Sequence, residues 1–475
     1  MSVTQTNLIN SALINQYDIP GPRYTSYPTA DRFVEATDLA HVPHLGFMAE
    51  ARADGCSLSL YFHIPFCDTV CFYCACNKIA TKNRELGSRY VDYLLREMSL
   101  KARQFQRKPR VVQMHWGGGT PTFLSSEDTQ RLVDGICEFF DLDPAGEHSI
   151  EIDPRRADAD RIIQLARAGF NRISVGVQDF DPEVQAAVNR RQSVEETAEV
   201  IRAARRNGFR SVSMDLIYGL PHQSPARFDN TLDTVLALAP DRLSLYSYAH
   251  LPLRFMPQRR IQSEHLPTPA DKLGILERAV ERLLEAGYVY IGMDHFARPD
   301  DELAIAQRQG TLHRNFQGYS THADCDLLAF GVSSIGMIDN VYVQNHKSLD
   351  DYYAALDRDE LPTARGWAMS DDDRLRRHII QSLMCHFELS FADLETAFPG
   401  DFASMHGATF GARFGERFEA EMTDLARLEA AGLVRIQPDR LVVTEAGRFL
   451  VRVVAMAFDA HLRASSEAKR YSRVI

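Results

Sequence analysis

Four cysteines lie close together in the sequence, at Cys67, Cys71, Cys74 and Cys76, and the first three have the spacing Cys-x3-Cys-x2-Cys. Thiolates are the usual ligands of iron–sulfur clusters, whereas zinc sites more often use two Cys-x2-Cys pairs a dozen or more residues apart. The sequence contains no second such pair, and its other cysteines are scattered singly at Cys56, Cys137, Cys325 and Cys385. The motif therefore favours an iron–sulfur cluster, with a zinc site and a redox disulfide as the alternatives.

The thiols directly follow an apolar strand pattern, and a strand pattern followed by a helix pattern recurs along the chain. The predicted strands are 58–64, 111–117, 149–153, 172–178, 211–217 and 242–248. The predicted helices include 86–105, 125–140, 158–168, 194–207, 225–238 and 270–286, and a short strand at 288–292 follows them. This alternation predicts an α/β fold with a parallel sheet. Six units indicate an incomplete (β/α)6 TIM-like barrel, because a closed barrel has about eight.

Each of these strands alternates apolar and polar side chains, so it has one apolar and one polar face. If the apolar faces meet the outer helices, the barrel interior is polar, with Ser59, Tyr61 and His63, then Glu151 and Asp153, Ser174 and Gln178, and Ser213 and Asp215. Buried polar groups need partners, so such an interior requires ligands or water. The alternative is a sheet with its polar face in solvent, which is uncommon for parallel sheets.

The chain divides into three predicted regions. Residues 1–50 form an irregular N-terminal segment that we expect to pack near the active site, and residues 51–365 form the barrel domain. Residues 366–475 form a mainly helical C-terminal domain, with helices at 371–388, 422–432 and 445–460 and strands at 433–436 and 441–444. The order of these elements resembles a winged helix. Because no basic recognition stripe accompanies them, we interpret the unit as a packing domain.

The composition is that of a soluble globular protein of 475 residues with a formal net charge of -11. The charge gives no nucleic-acid footprint, so an anionic substrate needs a local cluster of Arg or Lys. The N-terminus carries no signal-peptide pattern, and no apolar stretch is long enough to span a bilayer. We expect a cytoplasmic monomer without nucleic-acid or membrane partners.

The spacing Cys-x3-Cys-x-aromatic-Cys resembles the signature of the radical S-adenosylmethionine (SAM) family. The resemblance implies one [4Fe-4S] cluster held by Cys67, Cys71 and Cys74, which leaves one iron for the amino and carboxylate groups of SAM. It also implies a 5′-deoxyadenosyl radical, formed when an electron from the reduced cluster breaks the sulfonium bond. Cys76 is a further thiol, and the resemblance gives it no ligand role.

Four further segments, 22–28, 115–122, 292–297 and 472–475, resemble the oxygen-independent coproporphyrinogen III oxidases within that family. The likeness extends over nearly the whole chain. It implies oxidative decarboxylation of two propionates of coproporphyrinogen III to the vinyl groups of protoporphyrinogen IX, with an electron donor and acceptor that the sequence does not identify. A haem-binding chaperone and a radical methyltransferase of related fold are the alternatives.

This resemblance implies two molecules of SAM. The first would contact Tyr61, Gly118, Glu151 and Ile335, and the second Tyr73, Gly119, Thr120, Gln178, Arg190, Asp215 and Ala249. Most of these transfers have a physical basis: glycines admit the ligand, carboxylates accept from ammonium or ribose hydroxyl groups, and an arginine pairs with a carboxylate. Ala249 lies on the apolar side of the alternation in 242–248, so its contact would be through the backbone. Candidates for binding the substrate's carboxylates are Arg23, Arg254, Arg298 and Arg314.

Overall fold

The structure, a computed structural model, describes residues 9–39, 57–322, 325–402, 409–464 and 471–474. Cys56 and part of the predicted N-terminal segment lie outside these ranges. The described part of that segment contains helix α1 (Ser11–Tyr17) and the short strand β1 (Val34–Glu35). None of the described helices is long and apolar enough to cross a membrane.

All six predicted barrel strands are present, and they lie side by side as parallel neighbours. The six are β2 (Leu58–Ile64), β5 (Arg110–Gly118), β6 (Asp141–Ile152), β7 (Arg172–Gln178), β8 (Ser211–Tyr218) and β9 (Arg242–Ser247). Two short strands between β2 and β5, β3 (Phe66–Cys67) and β4 (Ile79–Ala80), pair with each other in a separate sheet. The helices are α2 (Glu85–Ala102), α3 (Ser126–Phe139), α4 (Ala159–Arg167), α5 (Pro182–Ala187), α6 (Val194–Arg206), α7 (Pro225–Leu238) and α8 (Pro269–Glu285). Side chains at the helix N-caps, such as Ser193 in a capping box with Glu196, fix where these helices begin.

Short strands extend the sheet on both sides of the six. They are β10 (Val289–Gly292), β11 (His295–Ala297), β14 (Asp326–Phe330), β15 (Ile335–Ile338), β16 (Val341–Asn345) and β17 (Thr363–Ala368), and β12 (His313–Asn315) with β13 (Gly318–Ser320) forms a separate hairpin. Helices α9 (Glu302–Gln309) and α10 (Leu349–Asp357) lie among them. Strand β14 pairs in parallel with β2, and β15, β16, β17 and β1 continue antiparallel beyond it. In the described residues the sheet is open, which confirms the predicted incomplete barrel.

The predicted alternation of faces is confirmed along the central strands. In β8, Val212, Met214 and Leu216 are fully buried, whereas Ser213 and Asp215 on the other face keep partial exposure. The apolar set contributes to one large core together with apolar residues of the surrounding helices. The polar set forms the concave face of the sheet, which we call the lumen.

The C-terminal region is mainly helical, as predicted. It contains α11 (Asp371–His386), β18 (Glu388–Ser390), α12 (Phe391–Ala397), α13 (Pro399–Phe402), α14 (Phe410–Arg417), α15 (Glu419–Ala430), β19 (Val434–Ile436), β20 (Arg440–Val443), α16 (Val451–Met456) and α17 (Ala460–Arg463). The helix predicted at 445–460 begins as a 3-10 helix over Glu445–Leu450, because the backbone N–H of Gly447 bonds to the carbonyl of Thr444 (2.9 Å), which tightens the first turn.

The N-terminal segment is held against the C-terminal elements by buried polar contacts. Arg452, which is 2% exposed, donates to the carbonyls of Gly21 and Pro22, and the Tyr24 hydroxyl donates to Asp459 (3.0 Å). The backbone N–H of Gly21 also bonds to the carbonyl of Ser472 (3.0 Å). Arg23 of the same segment forms an ion pair with Asp294, which lies between β10 and β11.

Strand β14 is joined to the helical layer by a buried ion pair. Lys101 Nζ of α2 donates to Glu97 (2.6 Å) and to the carbonyl of Ala329 (2.5 Å). The Glu97 carboxylate, which is fully buried, also accepts from Gly331, Asn345 and Tyr352 at 2.7–2.8 Å. Both oxygens of the Glu97 carboxylate therefore accept hydrogen bonds, and the donors lie in α2, β16, α10 and the residue that follows β14.

Replacing Lys101 with methionine should destabilise the chain by about 3–5 kcal/mol, because it leaves the buried Glu97 carboxylate without its cation. Urea unfolding of the purified protein measures the loss. Lys82→Met, at an exposed position, is the matched control and should change stability by less than about 0.5 kcal/mol. Equal stability of the two variants would contradict this assignment.

Candidate active site

The thiol loop lies at the carboxyl end of β2, beside a cavity of about 170 Å³. Cys67, Cys71, Cys74 and Cys76 all line this cavity, the first two nearly buried, Cys74 half-buried and Cys76 exposed. Backbone bonds hold the loop in place: the N–H of Thr81 bonds to the carbonyl of Cys67 (2.9 Å), and that of Phe72 to the carbonyl of Val188 (2.9 Å). The sheet edge therefore brings the predicted cluster ligands to one opening.

Two guanidinium groups contact the thiol of Cys71. Arg155 Nη2 and Arg190 Nη1 each lie 3.6 Å from Cys71 Sγ, and both arginines also bond to Asp153, at 2.6 and 3.4 Å. Burial alone would lower the pKa of Arg190, but Tyr73, Asp153 and Cys71 raise it above its ordinary value. Two guanidinium groups thus donate to the sulfur of Cys71.

The other two predicted ligands have different surroundings. Burial raises the pKa of Cys67 to about 11, although the Thr120 hydroxyl donates to its sulfur (3.5 Å). A hydrogen bond from Cys76, helped by the charge of Lys78, lowers the pKa of Cys74 to about 6. The loop thus combines a preformed thiolate environment at Cys74 with a buried thiol at Cys67.

Glycines let the neighbouring strand approach the thiol loop. Gly118 has φ +113°, and a Cβ there would lie 2.7 Å from the ring of His63. A Cβ at Gly119 would lie 2.7–2.8 Å from backbone atoms of Pro65 and Phe66. Neither position has room for a Cβ, and Gly118 also has a φ value that favours glycine. These two glycines therefore keep the backbone of β5 and its following turn close to the cavity.

Glu151 is the acidic group on the β5–β6 side of the cavity. It accepts from the backbone N–H of Gly118 (3.2 Å) and lies 3.4 Å from His115 Nε2. Burial would raise the pKa of this carboxyl, but the hydrogen bonds and the charge of His115 hold it below its usual value. Glu151 is therefore a carboxylate that can accept hydrogen bonds from a bound cation or hydroxyl.

Asp215 is the acidic group on the β7–β8 side. Ser174 Oγ donates to it (2.9 Å), but burial, and next the charge of Glu151, raise its pKa to about 6. The two lumen carboxylates therefore differ in their readiness to ionise. A ligand that donates hydrogen bonds or carries positive charge near Asp215 would relieve this unfavourable burial of charge.

Gln178 and Arg190 complete that side of the cavity. Gln178 has φ +69°, a left-handed conformation at the end of β7 that costs of order 1 kcal/mol for a residue with a side chain. A Cβ at Gly176 would lie 2.9 Å from Gln178 Nε2 and 3.1 Å from Arg190 Nη2, so this small residue allows both side chains to lie against the strand.

The structure brings most of the predicted site residues to this one cavity, namely Cys67, Cys71, Cys74, Tyr73, Gly118, Gly119, Thr120, Glu151, Gln178, Arg190 and Asp215. Tyr61, Ala249 and Ile335 do not line it. Tyr61 stacks on His115 at 5.9 Å between ring centroids, in contact with a neighbour of Glu151. Strand β9 ends at Ser247, so the alternation does not extend to Ala249, and Gln258 Nε2 bonds to its carbonyl (3.2 Å). Ile335 lies in β15, at a distance from the lumen strands in the sheet order. Ligand roles for all these residues stay predictions.

Arg155 is a cavity residue that sequence reasoning missed. It follows Asp153 and Pro154 directly after β6, and its guanidinium donates to Asp153 (2.6 Å) as well as to Cys71. Its position just past a strand end, where barrel sites are built, was the available signal. A second arginine beside the thiols could not be inferred from the local pattern alone.

The chemistry of the donor set fits an iron–sulfur cluster. The three thiols with the cluster spacing, Cys67, Cys71 and Cys74, line one cavity, with two guanidinium groups and a hydroxyl beside them. Among the described residues, Arg190 Nε is buried without a hydrogen-bond partner. Thiolate-bound clusters are stabilised by such hydrogen bonds to sulfur. In the ranges that the structure describes, no three His, Cys, Asp or Glu side chains are placed to hold a single metal ion.

Known proteins share this chain's sequence and fold. The family model described as the Radical SAM superfamily matches residues 61–235, which contain the thiol loop and the strands that line the cavity. The chain therefore contains a region of the radical SAM superfamily, which uses a [4Fe-4S] cluster and SAM.

Full-length relatives define the family more closely. The chain is 50% identical over 465 residues to an oxygen-independent coproporphyrinogen III oxidase of Pseudomonas aeruginosa, covering 98% of each chain. It is 46% identical over 475 residues to that of Escherichia coli, covering 100% of each. A solved structure of the coproporphyrinogen III oxidase of Escherichia coli, described as a radical SAM enzyme, superposes with a TM-score of 0.86 at 43% identity, covering 95% of this chain and 99% of that one. The chain belongs to the oxygen-independent coproporphyrinogen III oxidase family.

Replacing Cys71 with serine should abolish iron binding after anaerobic reconstitution, because Cys71 is one of the three thiols with the cluster spacing, and the fourth cavity thiol, Cys76, has no predicted ligand role. Iron and sulfide analysis with visible absorption measures the loss, against about four irons and four sulfides in the parent. Cys137→Ser, at an exposed thiol of α3, is the matched control and should keep the full content. Stoichiometric zinc without a visible chromophore in the parent would contradict the cluster assignment.

Replacing Asp215 with asparagine should stabilise the cluster-free protein above pH 6. The raised pKa of Asp215 means that the folded state loses stability as the pH rises from about 4 to about 6, and asparagine has no such loss. The gain should reach about 1–3 kcal/mol above pH 6 and vanish below pH 4, as measured by urea unfolding across this range. A gain that does not change with pH would refute this explanation.

Proposed function

We propose that this chain catalyses the oxygen-independent oxidative decarboxylation of two propionate side chains of coproporphyrinogen III to vinyl groups, which gives protoporphyrinogen IX. The single observation that carries the proposal is the convergence of three cluster thiols and the lumen polar groups on one cavity. The names of the full-length relatives supply the substrate.

The chemistry divides between the bound groups and the chain. Bound together, the cluster and SAM supply a 5′-deoxyadenosyl radical. The substrate propionate loses a hydrogen atom from its β-carbon, and this atom ends in 5′-deoxyadenosine. The bond to the carboxylate then breaks, and carbon dioxide and one electron leave. A one-electron acceptor takes up this electron, and the two remaining carbons of the side chain form the vinyl group. The chain's own task is to bind, orient and shield these reactants.

We also propose two SAM molecules, because the cavity offers two sets of polar groups. Glu151 and the backbone of Gly118 form one set on the β5–β6 side, and His115 lies 3.4 Å from Glu151 outside the cavity lining. Asp215, Gln178 and Arg190 form the other on the β7–β8 side. Each set pairs a carboxylate with donors, which suits a zwitterionic ligand such as SAM.

The organisation of the chain stays a proposal in three parts. Residues 1–50 pack near the active site, residues 51–365 form the radical SAM barrel, and residues 366–475 form the helical domain. The contacts of Arg23, Arg452 and Tyr24 described above support the first part. We further propose that the chain works as a monomer in the cytoplasm, where its cluster thiols stay reduced.

With coproporphyrinogen III deuterated at the propionate β-carbons, deuterium should appear in 5′-deoxyadenosine. The reason is that the hydrogen lost from the β-carbon is the one that makes loss of carbon dioxide possible. Mass spectrometry of 5′-deoxyadenosine from an anaerobic reaction measures the transfer, with substrate deuterated at the meso positions as the control, which should transfer none.

The amount of 5′-deoxyadenosine should also follow the number of vinyl groups formed. Vinyl formation without deuterium transfer would rule out the proposed hydrogen abstraction. Tight haem binding without release of carbon dioxide would instead indicate a chaperone, and transfer of mass from the SAM methyl group into the product would indicate a methyltransferase.

A further inference from the structure

Arg314, on strand β12, is a buried guanidinium with unsatisfied donors. The residue is 3% exposed, and its Nε and Nη1 atoms are buried without a hydrogen-bond partner. Its guanidinium lies 4.7 Å from the ring centroid of Tyr319, its partner across the hairpin. Among the described residues, no carboxylate forms a salt bridge with it. Buried arginines are normally paired, so this side chain is prepared for an anion that the chain itself does not supply.

Two more arginines lie close enough to Arg314 for their charges to act on one another. Arg23 pairs with Asp294, and the partners of Arg452 among the described residues are the backbone carbonyls of Gly21, Pro22, Arg473 and Val474. Burial lowers the pKa of Arg452 to about 9, and the charges of Arg23 and Arg314 contribute. Another nearby carboxylate, Asp18, pairs with Arg473 (3.2 Å). In a chain of net charge -11, this cluster therefore carries local excess positive charge.

The arginine cluster adjoins the lumen through Tyr246 of β9. Burial raises the pKa of Tyr246 to about 12; the charge of Asp215 acts in the same direction, and those of Arg23 and Arg314 oppose it. The Arg23 guanidinium lies 6.0 Å from the Tyr246 ring centroid, and its side chain is 37% exposed. His295 Nδ1 is buried without a partner in the same region. Ring contacts connect Tyr246 to Arg314: Tyr246 lies 6.0 Å from His295 and His295 lies 5.2 Å from Tyr319, between ring centroids, and Tyr319 is the ring that Arg314 contacts.

We propose that Arg314, with Arg23 at the rim, binds a propionate carboxylate of the tetrapyrrole substrate, and that this propionate is one of the two that the reaction retains. The inference rests on the proposed function for the identity of the substrate. The two unpaired donors of Arg314 can form charge-assisted hydrogen bonds to a carboxylate, and His295 Nδ1 offers a further polar contact.

The choice of a retained propionate follows from charge. A carboxylate that leaves as carbon dioxide gives up its negative charge, and a paired guanidinium stabilises the charged form, so it would oppose that loss. A propionate that keeps its carboxylate has no such conflict. Arg314 therefore suits an anchor that orients the ring and presents a different propionate to the cavity beyond Tyr246.

The test measures binding of two porphyrins to the cluster-loaded full chain by fluorescence titration. Coproporphyrin III carries four propionates, and mesoporphyrin IX carries only the two that correspond to the retained positions. Arg314→Gln should weaken both by about 10- to 100-fold, because each loses the same charge-assisted bonds. Arg314→Lys should recover part of the loss, since it keeps the charge without the planar fork. Arg278→Gln is the matched control: Arg278 of α8 pairs with Asp229 (3.1 Å), outside the cluster, and its loss should change neither affinity.

The inference is wrong if Arg314→Gln binds both porphyrins like the parent. It is also wrong if only coproporphyrin III is weakened, because Arg314 would then hold a reacting propionate. Circular dichroism and iron content show whether Arg314→Gln folds. If it does not, Arg23→Gln, at a half-exposed residue, is tested instead, and it should weaken the binding of both porphyrins several-fold. Parent-like affinity of Arg23→Gln would then count against the proposal. Anaerobic turnover of the parent is assayed separately: without carbon dioxide release the proposed function fails, whereas turnover with unaltered Arg314→Gln binding overturns only this inference.

Discussion

The structure depends on one constraint, which is that the concave face of a parallel sheet here carries polar side chains. Glu151, Asp215 and their neighbours project from strands whose other face is fully buried under helices. Polar groups in such a place need partners, and branched apolar side chains, which fill ordinary closed barrels, are not there to replace them. The lumen is therefore stable as a binding site rather than as a packed core. The raised pKa of Asp215 is the local sign of that incomplete satisfaction.

Charge is distributed so that an acidic chain can still hold anions. Arg155 and Arg190 lie beside the thiol of Cys71, where they offset the negative charge expected of a thiolate-bound cluster. Arg23 lies near the ring of Tyr246 on β9, and Arg314 lies on the ring of Tyr319. The first pair is neutralised in part by Asp153, whereas Arg314 has no described carboxylate partner. This difference separates a site that stabilises the cofactor from one prepared for a charged substrate.

The sequence predicted the barrel closely because its signals are local. The 3.6-residue and two-residue periodicities, with helix caps such as Ser193, locate the six strands and the helices between them to within a few residues, except that β6 begins at Asp141, eight residues before its predicted start. The strands from β11 to β17 are three to six residues long, and tertiary pairing rather than periodicity fixes them, so none of them was predicted. Strand β14, the parallel neighbour of β2, is among them.

The candidate site was also predicted in part, where its signals are local in the sequence. The thiol spacing and the strand alternation located Cys67, Cys71, Cys74, Glu151 and Asp215 on one opening. Arg155 was missed because its contact with Cys71 joins positions 84 residues apart in the sequence. Ala249 and Ile335 were assigned by resemblance, and both lie outside the cavity lining. The strand pattern could not test these two assignments, because it contains no information on the chain beyond Ser247 or on β15.

The central claim is that this cavity, loaded with its cluster and SAM, converts propionates to vinyl groups. The most direct measurement is the mass of the tetrapyrrole recovered after anaerobic incubation of the reconstituted, reduced protein with coproporphyrinogen III and SAM. The account predicts a product that has lost two carboxyl groups and carries two vinyl groups, formed only when both SAM and reductant are present. Recovery of unchanged coproporphyrinogen III from protein with a full cluster content would contradict it.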